Sequence, residues 1–260
     1  MPIFAPMLSK NLIKYIRGFQ QKKHREAEGL FIAEGPKTVG DLLAVRRARL
    51  LVATADWLAA NAANAERVEE VTEEELRRAS LVQHPQQVLA LFPIDGPSAV
   101  TCALADDELV LALDGIQDPG NLGTIIRIAD WFGIQRIYCS TDTADAYNPK
   151  VVQATMGSIA RVNIYYTDLR QFIANRPEGM PVYGTLLDGE NLYAQQKENR
   201  GILVMGNEGR GISPEIVPLL THRLLIPPYP ADRRTAESLN VATATAIVCA
   251  EMRRGMGEPL

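Results

Sequence analysis

Short apolar runs alternate with amphipathic stretches along this chain, a rhythm that predicts strands and helices in turn. Leu12, Ile13, Tyr15, Ile16 and Phe19 recur at helical spacing behind Ser9, a residue type that caps helix starts. Leu30–Ala33 reads as a strand, and a helix follows from about Gly35 to Val45. Leu50–Ala53 is a second strand, followed by a helix from Asp56 to Ala63. Thr72 precedes Glu75 by three residues, the spacing of a capping box that opens a helix to Arg78. Gln87–Phe92 closes the series as a strand, so the first region is expected to be a small α/β sheet.

The rhythm breaks at Pro93-Ile94-Asp95-Gly96-Pro97-Ser98, which places a domain boundary near residues 94–106. Beyond it the strands are nearly continuous apolar runs: Leu109–Leu113, Arg136–Cys139, Val162–Tyr166, Val182–Leu186, Ile202–Met205 and Leu224–Ile226. Helices are expected near 121–132, 148–159, 168–175 and 213–220, with a last one from Ser238 to Arg254. Strands apolar on both faces belong to a parallel sheet covered by helices on each side. The expected division is therefore residues 1–97 and 106–260, two α/β domains.

Composition narrows the function classes. The 260 residues are 47% hydrophobic and 22% charged, with no apolar run approaching the roughly 20 residues that span a bilayer. The start, Met1-Pro2-Ile3-Phe4-Ala5-Pro6, lacks the basic and apolar segments of a signal peptide. Cys102, Cys139 and Cys249 lie far apart, as do His24, His84 and His222, so neither disulfides nor a metal site are expected. A cytoplasmic protein fits this usage. The net charge of −4 conceals a basic N-terminal stretch containing Lys10, Lys14, Arg17, Lys22, Lys23 and Arg25, a candidate surface for nucleic-acid phosphates.

Candidate chemistry sits in loops that follow three of the later strands, where open α/β sheets bind ligands. After Leu113 comes Asp114-Gly115-Ile116-Gln117-Asp118-Pro119-Gly120-Asn121, leading into a helix with Gly123 and Arg127 on one face. Asn121 and Arg127 are there either to receive an anion or merely to cap the helix and make a surface ion pair. After Met205 comes Gly206-Asn207-Glu208-Gly209-Arg210-Gly211, whose glycines permit close backbone approach and whose Glu208 could orient a substrate. After Ile226 the chain runs through Pro227–Thr235 to Glu237-Ser238-Leu239-Asn240, where Ser238 is a candidate helix cap and Asn240 interrupts a small, apolar helix. No dinucleotide or P-loop fingerprint is present, which disfavours phosphate-rich cofactors.

Together these loops resemble the motifs of the SpoU (TrmH) family of SPOUT RNA methyltransferases. Asn121-x-Gly123-x-x-x-Arg127 is similar to the first motif, Gly206-Asn207-Glu208-Gly209-x-Gly211 to the second, and Ile226-Pro227 with Glu237-Ser238-Leu239-Asn240-Val241 to the third. The resemblance covers roughly residues 106–254, and the N-terminal part resembles the RNA-binding domain of some relatives, akin to a small ribosomal-protein fold. It implies a trefoil-knotted C-terminal domain, a homodimer, and S-adenosylmethionine as methyl donor to a ribose 2′-hydroxyl; the separate N-terminal domain favours a structured ribosomal RNA over transfer RNA as substrate. By position, Gly206, Ile226 and Leu239 would line the cofactor, and Asn121, Glu208, Ser238 and Asn240 would position Arg127, the ribose and the cofactor. The resemblance nominates Arg127 as base, although a guanidinium ordinarily keeps its protons, so base and phosphate anchor both stand as roles. The Pro227–Thr235 segment, carrying Arg233 and Arg234, is longer and more charged than the family's usual link. A catalytically silent RNA-binding protein on the same scaffold and a Rossmann-type small-molecule enzyme are the competing readings.

Overall fold

A computed structural model describes residues 8–94, 104–230 and 236–254. Arg233 and Arg234, Cys102 and most of the expected inter-domain linker lie outside these residues. The chain forms two compact units, Met1–Gly96 with Asp145–Ala160, and Pro97–Ala144 with Arg161–Leu260.

In the first unit α1 (Lys10–Gly18) starts on Ser9, whose hydroxyl accepts from the Leu12 amide at 3.2 Å, and buries Ile16. A separate helix, α2 (Lys22–Glu28), ends at Gly29 in the left-handed conformation. Then follow β1 (Leu30–Glu34), α3 (Pro36–Val45), β2 (Leu50–Ala53), α4 (Ala55–Ala60), β3 (Val68–Glu70), α5 (Glu73–Ala79) and β4 (Val88–Pro93). The capping box forms as Thr72 and Glu75 predict. The sheet order is β1-β4-β2-β3, with β4 antiparallel to both neighbours and β2 parallel to β3. Strand β3 escapes the sequence pattern because its side chains are exposed or only half-buried, leaving no apolar run to read.

The second unit is a six-stranded parallel sheet, β5 (Leu109–Asp114), β6 (Arg136–Cys139), β7 (Asn163–Tyr166), β8 (Val182–Asn191), β9 (Gly201–Gly206) and β10 (His222–Leu225). Its order is β10-β8-β9-β5-β6-β7, every pairing parallel, as the continuous apolar runs imply. The helices α6 (Pro119–Trp131), α8 (Leu169–Ala174) and α9 (Val241–Met252) belong to this unit, and α7 (Pro149–Ala154) to the first. The chain leaves β5 outward through β6 and β7, then returns to the other side, so the order reverses between β5 and β9. That reversal is where an open sheet parts its loops and leaves a crevice at the strands' carboxyl ends.

Three helical expectations are corrected. Residues 213–220 form only a 3₁₀ turn, Val217–Leu219, because Pro218 has no amide to donate to the Pro214 carbonyl, as an α-helix there would require. The 148–159 helix stops at Ala154, since Met156 and Gly157 take positive φ of 52° and 95°. The last helix starts at Val241 with Asn240 as its cap, two residues later than a Ser238 cap would place it.

Candidate active site

Pairing of β5 with β9 sets Asp114 opposite Gly206, so the loops that follow these strands emerge side by side. Several hydrogen bonds then lock them. Buried Asp114 accepts from the Ser213 amide at 2.6 Å. Gly115, at φ 70°, donates its amide to Ser140 Oγ at 2.8 Å and offers its carbonyl to Asn207 Nδ2 at 2.7 Å. The Asn207 Oδ1 accepts from the amides of Gly209 (2.9 Å) and Arg210 (3.0 Å), closing a tight turn that the Asn207–Gly211 backbone pair completes. A Cβ on Gly206 would stand 2.3 Å from the Gly211 carbonyl carbon, so this position excludes any side chain.

On that frame sits a directional chain of three side chains. Asp118, not Asn121, caps α6, accepting from the Asn121 amide at 2.8 Å. The Asn121 side chain is thereby released from capping. Its Nδ2 donates to Glu208 Oε1 at 2.8 Å, and its Oδ1 accepts from Asn240 Nδ2 at 2.9 Å. Asn240 Oδ1 in turn accepts from the Ala242 and Thr243 amides at 3.0 and 3.2 Å. The amide orientations are not interchangeable. Helix amides can only donate, so Asn240 must present its NH₂ to Asn121, and Asn121 its NH₂ to the carboxylate. Glu208 makes no other hydrogen bond or ion pair among the described residues, so its second oxygen is available to a ligand hydroxyl.

Asn121, Glu208 and Asn240 therefore come together. Arg127 lies farther along α6, exposed, with no hydrogen bond or ion pair among the described residues. Ser238 and Leu239 are exposed immediately before the α9 cap, Leu239 at 50%. Gly206 ends β9, and Ile226 follows β10 half-buried. Burial pushes the Cys139 and Cys249 thiols far up, the latter to about 12, so neither offers a thiolate at neutral pH. Among the described residues no three His, Cys, Asp or Glu side chains cluster as metal ligands.

Sequence reasoning missed the residues beneath this cluster. Asn207 was legible as a turn-forming amide next to Gly206, and Asp114 as a charge ending an apolar strand. The Ser140–Asp142–Arg210 link, with Arg210 Nη2 3.4 Å from Asp142, spans segments whose proximity no local pattern reveals.

In the first unit Lys10, Lys14, Lys22 and Lys23 are exposed. Arg17 is exposed but ties its guanidinium to the Ser80 carbonyl at 3.0 Å. Arg25 is a correction. It is 2% exposed, donates to the Phe19 and Gln20 carbonyls and pairs with Asp145 at 2.5 Å, so it holds the fold and has no face left for phosphate.

Comparison with known proteins adds independent findings. The profile of the SpoU rRNA Methylase family matches residues 108–250, and that of the MRM3-like substrate binding domain matches residues 10–90. A 23S rRNA (guanosine(2553)-2′-O)-methyltransferase of Bacillus subtilis is 35% identical over 162 residues, 60% of this chain and 64% of that protein, less than two thirds of its length. A TrmH-family protein from Porphyromonas gingivalis shares 44% identity with a TM-score of 0.85, over 95% of this chain and 99% of its own. The AdoMet-bound rRNA methyltransferase of Sinorhizobium meliloti shares 31% identity with a TM-score of 0.81, over 96% and 97%.

Proposed function

The chain belongs to the SpoU rRNA Methylase family, and on that premise we propose that it methylates a ribose 2′-hydroxyl of RNA with S-adenosylmethionine as donor. The observation that carries the reading is the Asn240–Asn121–Glu208 chain at the carboxyl ends of β5 and β9. The site's chemistry suits the cofactor. Half-exposed Leu239 and half-buried Ile226 each leave apolar surface that a flat ring could cover. Bound there, S-adenosylmethionine supplies an electrophilic methyl group.

The chain's own residues position the acceptor. Glu208, oriented by Asn121, receives a hydrogen bond from the ribose hydroxyl on its second oxygen, which fixes the approach of the attacking atom; alignment of this kind is worth several kcal/mol. Arg127, whose donors have no partner among the described residues, grips the phosphate next to the target ribose. Ser238 and Leu239 close the cofactor's side of the site. The first unit, read as a substrate-binding domain akin to a small ribosomal-protein fold, receives the RNA through Lys10, Lys14, Lys22 and Lys23. The substrate is ribosomal RNA, as the named activities of the Bacillus and Sinorhizobium relatives suggest. We further read the second unit as trefoil-knotted and the enzyme as a cytoplasmic homodimer. In support, α6 carries Trp131 at 85% exposure, an apolar surface of the kind a subunit interface covers.

The test is methyl transfer to total ribosomal RNA with labelled S-adenosylmethionine, followed by mapping of alkali-resistant linkages. The wild-type chain gives a discrete 2′-O-methyl site, and Arg127→Ala loses most transfer while remaining a dimer. Near-normal turnover of Arg127→Ala refutes its assignment, and a rate rising with pH only in the arginine enzyme converts it from anchor to base.

A further inference from the structure

Resting on the reading of the chain as an RNA-modifying enzyme, we propose that the first unit holds a pocket for one unstacked nucleobase of the RNA, built from α5 and the turn before β4. The cavity there measures about 420 Å³ and uses no residue of the candidate active site. Half-buried Pro36 and Pro85 give it apolar surface, core residue Leu76 backs it, and Glu73, Arg77, Gln86 and Gln87 supply polar groups.

The pocket is built rather than incidental. Glu73, Leu76 and Arg77 are spaced three and four residues apart, so they share one face of α5. The opposite wall, Pro85–Gln87, is held in a costly backbone shape: Gln87 takes φ 49°, a conformation that side chains other than glycine rarely adopt. It stays there because its carbonyl accepts from the Thr54 amide at 2.9 Å and the next residue's carbonyl from Gly35 at 2.9 Å. The turn's other end is fixed by buried Glu34, whose carboxylate accepts from Ser80 Oγ and, at 2.9 Å, from the Leu81 amide. Strain kept at an exposed, polar position points to use rather than packing.

The lining specifies the ligand. An unstacked base presents two flat apolar faces and an edge of mixed donors and acceptors. The two prolines suit the faces. The Gln86 and Gln87 amides supply donors and acceptors, Glu73 accepts from an exocyclic amine, and the Arg77 guanidinium can lie flat on a ring. A duplex presents no free base face, so the site selects looped or single-stranded RNA.

The test uses the full chain and two labelled 12-nucleotide RNAs, an unstructured mixed sequence and its abasic counterpart, followed by fluorescence anisotropy. The variant Arg77→Ala/Gln87→Gly removes two rim groups, and glycine fits the φ at position 87, so the fold survives. Wild type is expected to prefer the base-bearing RNA about tenfold, in line with the contribution of one base contact. The double variant is expected to bind both RNAs alike with an unchanged salt slope. The proposal is overturned if the variant keeps the preference, or if wild type shows none or binds neither RNA. Should the double variant melt early, Gln86→Ala replaces it under the same criteria. S-adenosylmethionine calorimetry on the same samples reports separately on the methyltransferase reading, so the two fail independently.

Discussion

Replacing Asn207 with alanine tests the frame beneath the site more directly than removing a residue of the site itself. The side chain makes three hydrogen bonds, one to the Gly115 carbonyl 92 positions away and two from the Gly209 and Arg210 amides. Each is worth about 0.5–1.5 kcal/mol net. Gly209 and Arg210 are exposed, so water compensates their loss, whereas the Gly115 bond is part-buried and is the only one of the three that joins two loops. The Asn207–Gly211 backbone pair and the Asp114–Ser213 bond remain, so the loss is roughly 1–2 kcal/mol and local. If the cofactor binds only the ordered loop, a loss of that size weakens S-adenosylmethionine binding by up to about thirtyfold. Calorimetry of the wild type, Asn207→Ala and Asn207→Asp checks it. The aspartate keeps the acceptor for Gly209 and Arg210 but loses the donor to Gly115 and sets a negative oxygen against that carbonyl. It should therefore bind no better than alanine. Wild-type affinity in Asn207→Ala, or in Asn207→Asp, would show that the clamp between the loops does not matter.

Three further outcomes follow from the same geometry. Arg25→Ala strands Asp145 and two carbonyls, and should cost about 3 kcal/mol in urea unfolding while leaving the salt slope of RNA binding unchanged; a shallower slope would return Arg25 to the RNA footprint. Burial raises the Glu34 carboxyl above its ordinary range, against the opposing hydrogen bonds from Ser80 and Leu81. Its folded form thus favours the proton: the contribution is complete below the unfolded carboxylate value and is lost as pH rises through the raised folded value. The difference in unfolding free energy between wild type and Glu34→Gln should change with pH in that window, and a constant difference would contradict the burial argument. Asn240→Asp keeps the α9 cap but removes the NH₂ facing Asn121, so methyl transfer should fall with the melting temperature nearly unchanged; equal activity would show that the amide chain has no role.

The elements were legible where a single period governed them. The runs Leu109–Leu113 and Ile202–Met205 became central strands β5 and β9 because apolar residues continuous over five and four positions fit only a doubly covered sheet. Failures came where local chemistry outweighed period. Pro218 cancelled the 213–220 helix, and the positive φ at Met156 and Gly157 ended α7. Arg25 misled because charge along the chain says nothing of which face a short helix buries, and α2 turns this one residue inward. Of the site, the motif residues could be read from their loops, but Asn207 as clamp and Asp118 as cap required knowing which loops adjoin.

The polar chain Asn240–Asn121–Glu208 is hard to account for as a stabilising feature. Asn240 and Glu208 are exposed and Asn121 only half-buried, so water competes for each bond and the net gain is at the low end of about 0.5–1.5 kcal/mol per bond. Folding needs no such links there: α6 already has Asp118 as its cap and Pro119 at its first turn, and α9 needs only the Asn240 oxygen. What the two remaining NH₂ groups add is direction. Each donates toward the carboxylate, and the series begins at the α9 amides, so the bonds align from a helix N-terminus to Glu208 and reinforce one another. The result is a carboxylate held from one side, with its other oxygen open, at the crevice where the sheet order reverses. An arrangement that contributes little to stability and fixes the orientation of one exposed group is explained by what that group must meet.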